Sequence, residues 1–136
     1  MKKFYISILL FSFVSVIYFN GCKDTVAGSE DIDSIIIPSS NVSFSEYIQP
    51  VFFVKCATSG CHDDGNRAGG LSLTSWANTV LDFSIVAPGL PNDSKLIWSI
   101  EGTSVNAMPP PGYVRPLTPN QIQGIRIWVA EGAKNN

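Results

Sequence analysis

Three of the chain's most chemically capable side chains fall within seven consecutive positions: Cys56, Cys61 and His62 in the run CATSGCH. His62 is the only histidine of the 136 residues, and Cys22 is the one other cysteine. Whatever this chain folds into must therefore set two thiols and an imidazole side by side on a short loop. Such a trio can close a disulfide, take part in holding a metal, or serve as the attachment point of a prosthetic group.

Which of these applies depends first on compartment. Lys2 and Lys3 give a basic start, residues 4–19 (FYISILLFSFVSVIYF) are almost wholly apolar, and Asn20 and Gly21 lead to Cys22. A basic start, an apolar stretch and a small residue before a cut form the pattern of a secretory signal, too short to read as a spanning helix. With a cysteine directly after the cut, residues 1–21 resemble a bacterial lipoprotein signal and Cys22 a lipid-bearing N-terminus, although Phe19 and Asn20 depart from the residues usual there. The alternatives are a plain secretory signal or an uncleaved anchor. All of these export the chain, and the lipidated form would sit in the cell envelope, fixed to a membrane and facing the periplasm or the exterior.

In an exported protein a cysteine pair first suggests a disulfide. The residue after the pair argues for more. Cysteine, four residues, cysteine, histidine is a lengthened form of the C-x-x-C-H haem-attachment sequence. Two thiols on one short loop can add to the two vinyl groups along one edge of a porphyrin, which holds the adjacent imidazole beneath the iron. Residue types and order follow from that chemistry, whereas the spacer length is less constrained. A disulfide remains the alternative. Zinc is the weaker one, because the chain offers no further His or Cys to complete a four-ligand site.

Apart from the initiator the chain has one methionine, Met108, in NAMPPPGY. A methionine alone is more often core filling than ligand. Here three prolines and Gly112 follow it, a stretch that can be neither helix nor central strand. A rigid loop of this kind can present a thioether sulfur from a fixed direction, opposite His62. His/Met ligation raises a haem's reduction potential.

The remaining sequence divides into a tether and one small domain. Residues 22–43 are rich in Ser and acids (Asp24, Glu30, Asp31, Asp33), with Gly28 and Pro38, and read as a mostly flexible linker, with Ile35, Ile36 and Ile37 able to pack as a short strand. Residues 44–136 form the domain. A helix is expected from Ser43, capped by Ser43 or Ser45, with Tyr47, Ile48, Val51, Phe52 and Val54 as its apolar stripe and Pro50 tolerated only near its first turn. Shorter helices are expected over 75–83 and 94–100. The last helix carries the strongest signals: Thr118 as cap, Pro119 in first position, Ile122, Ile125, Trp128 and Val129 at helical spacing, and Gly132 as stop. From Ser43 onward only 94 residues remain, enough for a modest core.

Charge excludes one class of partner. Without Lys2 and Lys3 the chain carries seven basic against eleven acidic residues, a net charge of −4, and nothing resembles a basic nucleic-acid surface.

The runs YIQPVFFVKCATSGCHDDGNRAGGLSL, VAPGLPNDSKLIWSI, AMPPPG and LTPNQIQGIRIWVAEGA together resemble the class I cytochrome c fold, and in particular the single-haem modules called planctomycete-type cytochrome c domains. The resemblance spans residues 44–134. It implies an all-α fold, three to five short helices with long loops around one covalent haem c. Cys56 and Cys61 would be the thioether residues, His62 the proximal ligand and Met108 the distal one; the departure is the four-residue spacer. Of the other candidates, Trp128 reads as core and Trp98 as either core or porphyrin contact. Asp63 and Asp64 read as solvated rather than as a paired acid/base site. Arg67 suits either a propionate or open surface, and a carbonyl near Pro88 is a candidate acceptor for the second imidazole N–H of His62.

With both axial positions filled by protein, the expected activity is outer-sphere electron transfer between donor and acceptor proteins of the envelope, not catalysis. Two other classes stand beside it. One is a haemless, disulfide-linked structural or interaction lipoprotein; the other is a haem peroxidase or sensor, which requires Met108 to leave the iron.

Overall fold

The computed structural model describes residues 32–136. The expected signal segment and Cys22 lie outside them. Among the described residues there are helices and long loops and no strand, so the all-α expectation holds, and no helix is long and apolar enough to cross a membrane.

The first helical stretch shows what Pro50 does. Ser43 accepts the Glu46 N–H on its hydroxyl at 3.2 Å, the cap expected there. A π-helical turn then runs over Phe44–Ile48, followed by α1, Gln49–Lys55. Proline brings no N–H to the helical ladder, and its ring crowds the carbonyl four residues back. The turn before it is accordingly widened, and the Gln49 N–H reaches back five residues to the Phe44 carbonyl. α2, Trp76–Thr79, is capped by Ser75, where the helix was expected to start, but stops well before residue 83. Asp82 opens a separate turn instead: its carboxylate accepts the Ser84 N–H and its carbonyl those of Ile85 and Val86. Local bonding by an aspartate competes with helix continuation.

A 3₁₀ turn over Pro91–Asp93 leads into α3, Lys95–Ile100. The hydroxyl of Ser94 does not cap α3. It accepts the Ala87 N–H at 2.9 Å and donates to the Leu90 carbonyl at 3.1 Å, stapling the loop before the helix. α4, Pro119–Ala130, starts and stops where its signals lie. Thr118 and Gln121 form a reciprocal capping box. At the other end Gly132, with φ +101°, lets its own N–H reach Val129 and that of Ala133 reach Trp128, a Schellman closure.

The core gathers where α4 crosses the first helical stretch. Trp128, fully buried as expected, lies 5.3 Å from the Phe44 ring and 6.4 Å from the Phe52 ring, centroid to centroid. Its Nε1 donates to the Lys134 carbonyl. Ile48, Leu73, Val86, Ile97 and Ile125 complete the centre.

The tether expectation does not describe its last twelve residues. Ile32, Ile37 and Val42 are buried, and residues 32–43 lie along α4. The Asn120 side chain accepts the Ile37 N–H and donates to the Ile37 carbonyl, at 2.8 and 3.0 Å. Gln121 donates to the Ile32 carbonyl, and Glu131 accepts the N–H groups of Asn41 and Val42. The isoleucine run is therefore not a strand. Its backbone is met by side chains, Ile37 fills the groove at Gly124, and Ile36 faces solvent. Packed chain reaches back at least to Ile32.

Candidate functional site

α1 delivers the first cysteine. The Cys56 N–H still bonds to the Phe52 carbonyl at 2.9 Å, as does that of Ala57 at 2.7 Å, and the chain then leaves the helix. The loop closes on itself: Cys61 N–H reaches Thr58, and His62 N–H returns to the Cys56 carbonyl at 3.1 Å. Cys56, Cys61 and His62 are thereby gathered on one short turn. Downstream, Leu73 N–H bonds to the His62 carbonyl and Ala68 N–H to that of Cys61, so the next strand of loop braces the turn from behind.

The two aspartates after His62 have more to do than face water. Asp63 is half-buried and accepts backbone N–H groups from Gly60, Gly65 and Asn66. Asp64 accepts from the hydroxyls of Ser72 and Thr74 and from the Asn78 amide, and pairs with Arg67 at 3.3 Å. Asn66 above all holds the Asp63 carboxyl below the usual carboxylate range, and the Ser72 hydroxyl does so for Asp64. Each carboxylate is satisfied separately, neither lines the cavity described below, and Arg67 is taken by Asp64. They shape the loop rather than form an acid/base pair.

The opposite wall comes from the segment after α3. The Met108 N–H bonds to the Ser99 carbonyl at 2.9 Å, which pins the proline-rich loop to the end of that helix. Between the two loops lies a cavity of about 220 Å³. Cys56, Cys61 and His62 line one part of it, Met108, Pro109 and Pro110 another, and Ile100, Tyr113 and Val114 are further wall residues. All four residues singled out as ligands or attachment points thus meet at one cavity. Sequence reasoning missed Tyr113 and Val114, which carry no periodic signal. Ile100 could have been found from the helical spacing Leu96, Ile97, Ile100. Trp98 is not in the wall: it is 40 % exposed and donates to the Asn92 carbonyl.

Cys56 and Cys61 are free thiols. Burial pushes the Cys56 thiol up to about 12, so it stays protonated at neutral pH and is a poor nucleophile unless activated. His62 Nδ1 is buried and has no hydrogen-bond partner; the carbonyl near Pro88 does not serve it, and the adjacent Gly89 N–H is bonded to Val129 on α4. Lys55 is a buried residue of the cavity wall, but its ammonium is turned to Asp33 and to the Pro116 carbonyl, to both of which it donates. Arg115 bonds the other Asp33 oxygen at 2.8 Å. Lys55 first and Arg115 second hold the Asp33 carboxyl below its ordinary value. Among the described residues no group of three or more His, Cys, Asp or Glu could hold a metal ion on its own.

Residues 59–112 match the family model described as Planctomycete cytochrome C. The matched span contains Cys61, His62 and Met108 and begins just after Cys56. It agrees with the resemblance read from the motifs. Comparison with curated proteins and with solved structures gave no significant match.

Proposed function

We propose that this cytochrome domain holds one covalent haem c between the CATSGCH turn and the Met108 loop and passes single electrons in the cell envelope. The observation that carries the reading is the convergence of two free thiols, one imidazole and one thioether on a single, mostly apolar cavity.

The residues present fit such a group. A buried imidazole nitrogen without a partner costs about 1–3 kcal/mol, an expense more readily understood in a ring that is oriented for a ligand than in a core histidine. The unpaired thiols leave both sulfurs free for thioether formation. Haem iron supplies a one-electron couple when bound. The chain supplies everything else: Cys56 and Cys61 tether, His62 offers a nitrogen donor and Met108 a sulfur donor, and Ile100, Pro109, Pro110 and Val114 keep water away from both. With donors from both loops, no open position remains for a substrate, which favours a carrier over an enzyme. Tyr113, 81 % exposed, marks where the cavity meets solvent and where donor and acceptor proteins can approach.

Location is part of the same proposal. A lipid on Cys22 would fix the domain to a membrane, and Cys22→Ala should abolish labelling by palmitate; equal labelling of the variant and the parent excludes Cys22 as acceptor. For the haem itself, Cys56→Ser combined with Cys61→Ser should give protein from which acid–acetone removes all haem. Haem that resists extraction from this double variant contradicts the assignment.

A further inference from the structure

The spacer between the two thiols is four residues where the shorter motif has two, and a specific device surrounds the extra length. Gly60, its last residue, takes φ +85°, a conformation strained for any residue with a Cβ. There its N–H meets Asp63 Oδ2 at 3.1 Å. The other oxygen, Oδ1, accepts the N–H groups of Gly65 at 2.8 Å and Asn66 at 2.6 Å. The Asn66 amide reaches both oxygens, at 3.0 and 2.8 Å. One carboxylate therefore binds the spacer before His62 to the turn after it.

The two thiols are held in different ways. Cys56 is positioned by α1 through its bond to Phe52. Cys61 belongs to no helix; its N–H is held by the Thr58 carbonyl and its carbonyl by the Ala68 N–H, and the direction from which the spacer enters it depends on where Gly60 is held. Both residues line the cavity together with Gly60.

We propose that Asp63 is the positioning residue that adapts the four-residue spacer to two-point haem attachment, by clamping Gly60 so that Cys61 faces the cavity in step with Cys56. The proposal rests on the haem reading above. Each attachment is an addition. The thiol S–H bond and the vinyl π bond break, a C–S bond forms at one vinyl carbon, and the hydrogen ends on the other. No oxidant, reductant or leaving group takes part. What two additions to one rigid ring demand is that both sulfurs stand at the right separation, and position of this kind is worth a large rate factor.

The test counts thioethers on protein exported from a host with a haem-attachment system. The readouts are the mass of the haem peptide, alkylation of any spared thiol, and the pyridine haemochrome α-band, which shifts when a vinyl group survives. Asp63→Asn keeps one oxygen for the backbone N–H groups of Gly65 and Asn66 but turns amide hydrogens toward Gly60 and the Asn66 side chain, so it removes the Gly60 arm together with one Asn66 side-chain bond, the latter controlled by Asn66→Ala below. Losing the charge-assisted bond to Gly60 should raise the singly attached fraction roughly tenfold, with Cys61 the thiol that is alkylated. Deleting Ser59 and Gly60 in the same variant, which restores a two-residue spacer, should recover double attachment. Asn66→Ala leaves the Gly60 bond intact and should stay doubly attached. A lower yield of Asp63→Asn with an unchanged thioether count, or loss at Cys56 in place of Cys61, overturns the proposal. A parent without covalent haem overturns the haem reading and this inference with it; a doubly attached parent beside a doubly attached Asp63→Asn overturns this inference alone.

Discussion

In the proposed haem site Met108 would decide the redox character, because a thioether favours the ferrous state where water or a nitrogen ligand does not. Met108→Ala should keep its covalent haem but lose the weak near-infrared band of sulfur ligation and bind carbon monoxide quickly. Its potential should fall by on the order of 100 mV, within the span that axial ligands control. A parent that already lacks the band and binds carbon monoxide at once would favour the peroxidase or sensor class. Asp33 is a second residue whose single change is informative. Its carboxylate neutralises the buried ammonium of Lys55, whose side chain is 2 % exposed, so Asp33→Asn leaves a buried cation without a counter-charge. That should cost about 2 kcal/mol at neutral pH, below the full range for buried pairs because Asp33 keeps some exposure. The folded carboxyl lies below its ordinary value of 3.8. Its contribution is therefore fully present above that value and lost as pH falls through the folded pKa. Urea unfolding of parent and variant should differ at pH 7, keep that difference down to the ordinary carboxyl value of 3.8, and converge only as pH falls further through the lower folded pKa; an unchanged difference in strong acid would mean that Asp33 acts by shape alone. This pair was invisible in the sequence. Lys55 read as an ordinary end of a helix and Asp33 as one acid of a linker, and only the fold brings them together.

At the scale of elements, the docking of residues 32–43 on α4 depends on a glycine. A Cβ on Gly124 would stand 2.5 Å from Ile37 Cγ2, closer than any ordinary contact. Gly124→Ala should therefore expel Ile37, costing about 1–3 kcal/mol, and expose the chain near residues 35–41 to proteolysis while α4 itself gains helix propensity. Equal resistance to protease in parent and variant would show that Ile37 can move aside without cost. Legibility at this scale follows how local the signals are. Thr118, Pro119, Gln121 and Gly132 act within one turn of the ends they define, so α4 could be read directly. The 75–83 helix could not, since the turn at Asp82 competes with it on equal local terms. Pro50 was legible as an obstacle but not as the cause of a π-helical turn. Composition misassigned residues 32–43, because a segment of Ser, Pro and acid residues without helical spacing looks like a linker until Asn120, Gln121 and Glu131 are seen to satisfy its backbone. The residues that gather at the candidate site were more legible than the fold around them: Cys56, Cys61, His62 and Met108 are rare residue types in this chain, whereas the places of Tyr113 and Val114 and the Asp63 bond to Gly60 are set by tertiary placement.

The described residues form a small helical shell in which a hydrophobic centre surrounds Trp128 and a separate cavity opens between two loops. A domain of this length buries limited surface, and a cavity lined by Ile100, Pro109, Pro110 and Val114 leaves apolar area that a flat, largely apolar group would cover. The thiols, the imidazole and the thioether all face that same space, and Lys55, the charged residue of its wall, is neutralised by a segment from outside the loops. If the proposed haem is bound, it should tighten the loop that carries Met108 as well as colour the protein. The most direct measurement is the absorbance spectrum of the protein exported from a host with a haem-attachment system, taken before and after denaturation and acid–acetone extraction. A Soret band that survives both, with a pyridine haemochrome showing two thioethers, is the expected result. Colourless protein with Cys56 and Cys61 joined in a disulfide, or haem that is wholly extracted, would contradict it.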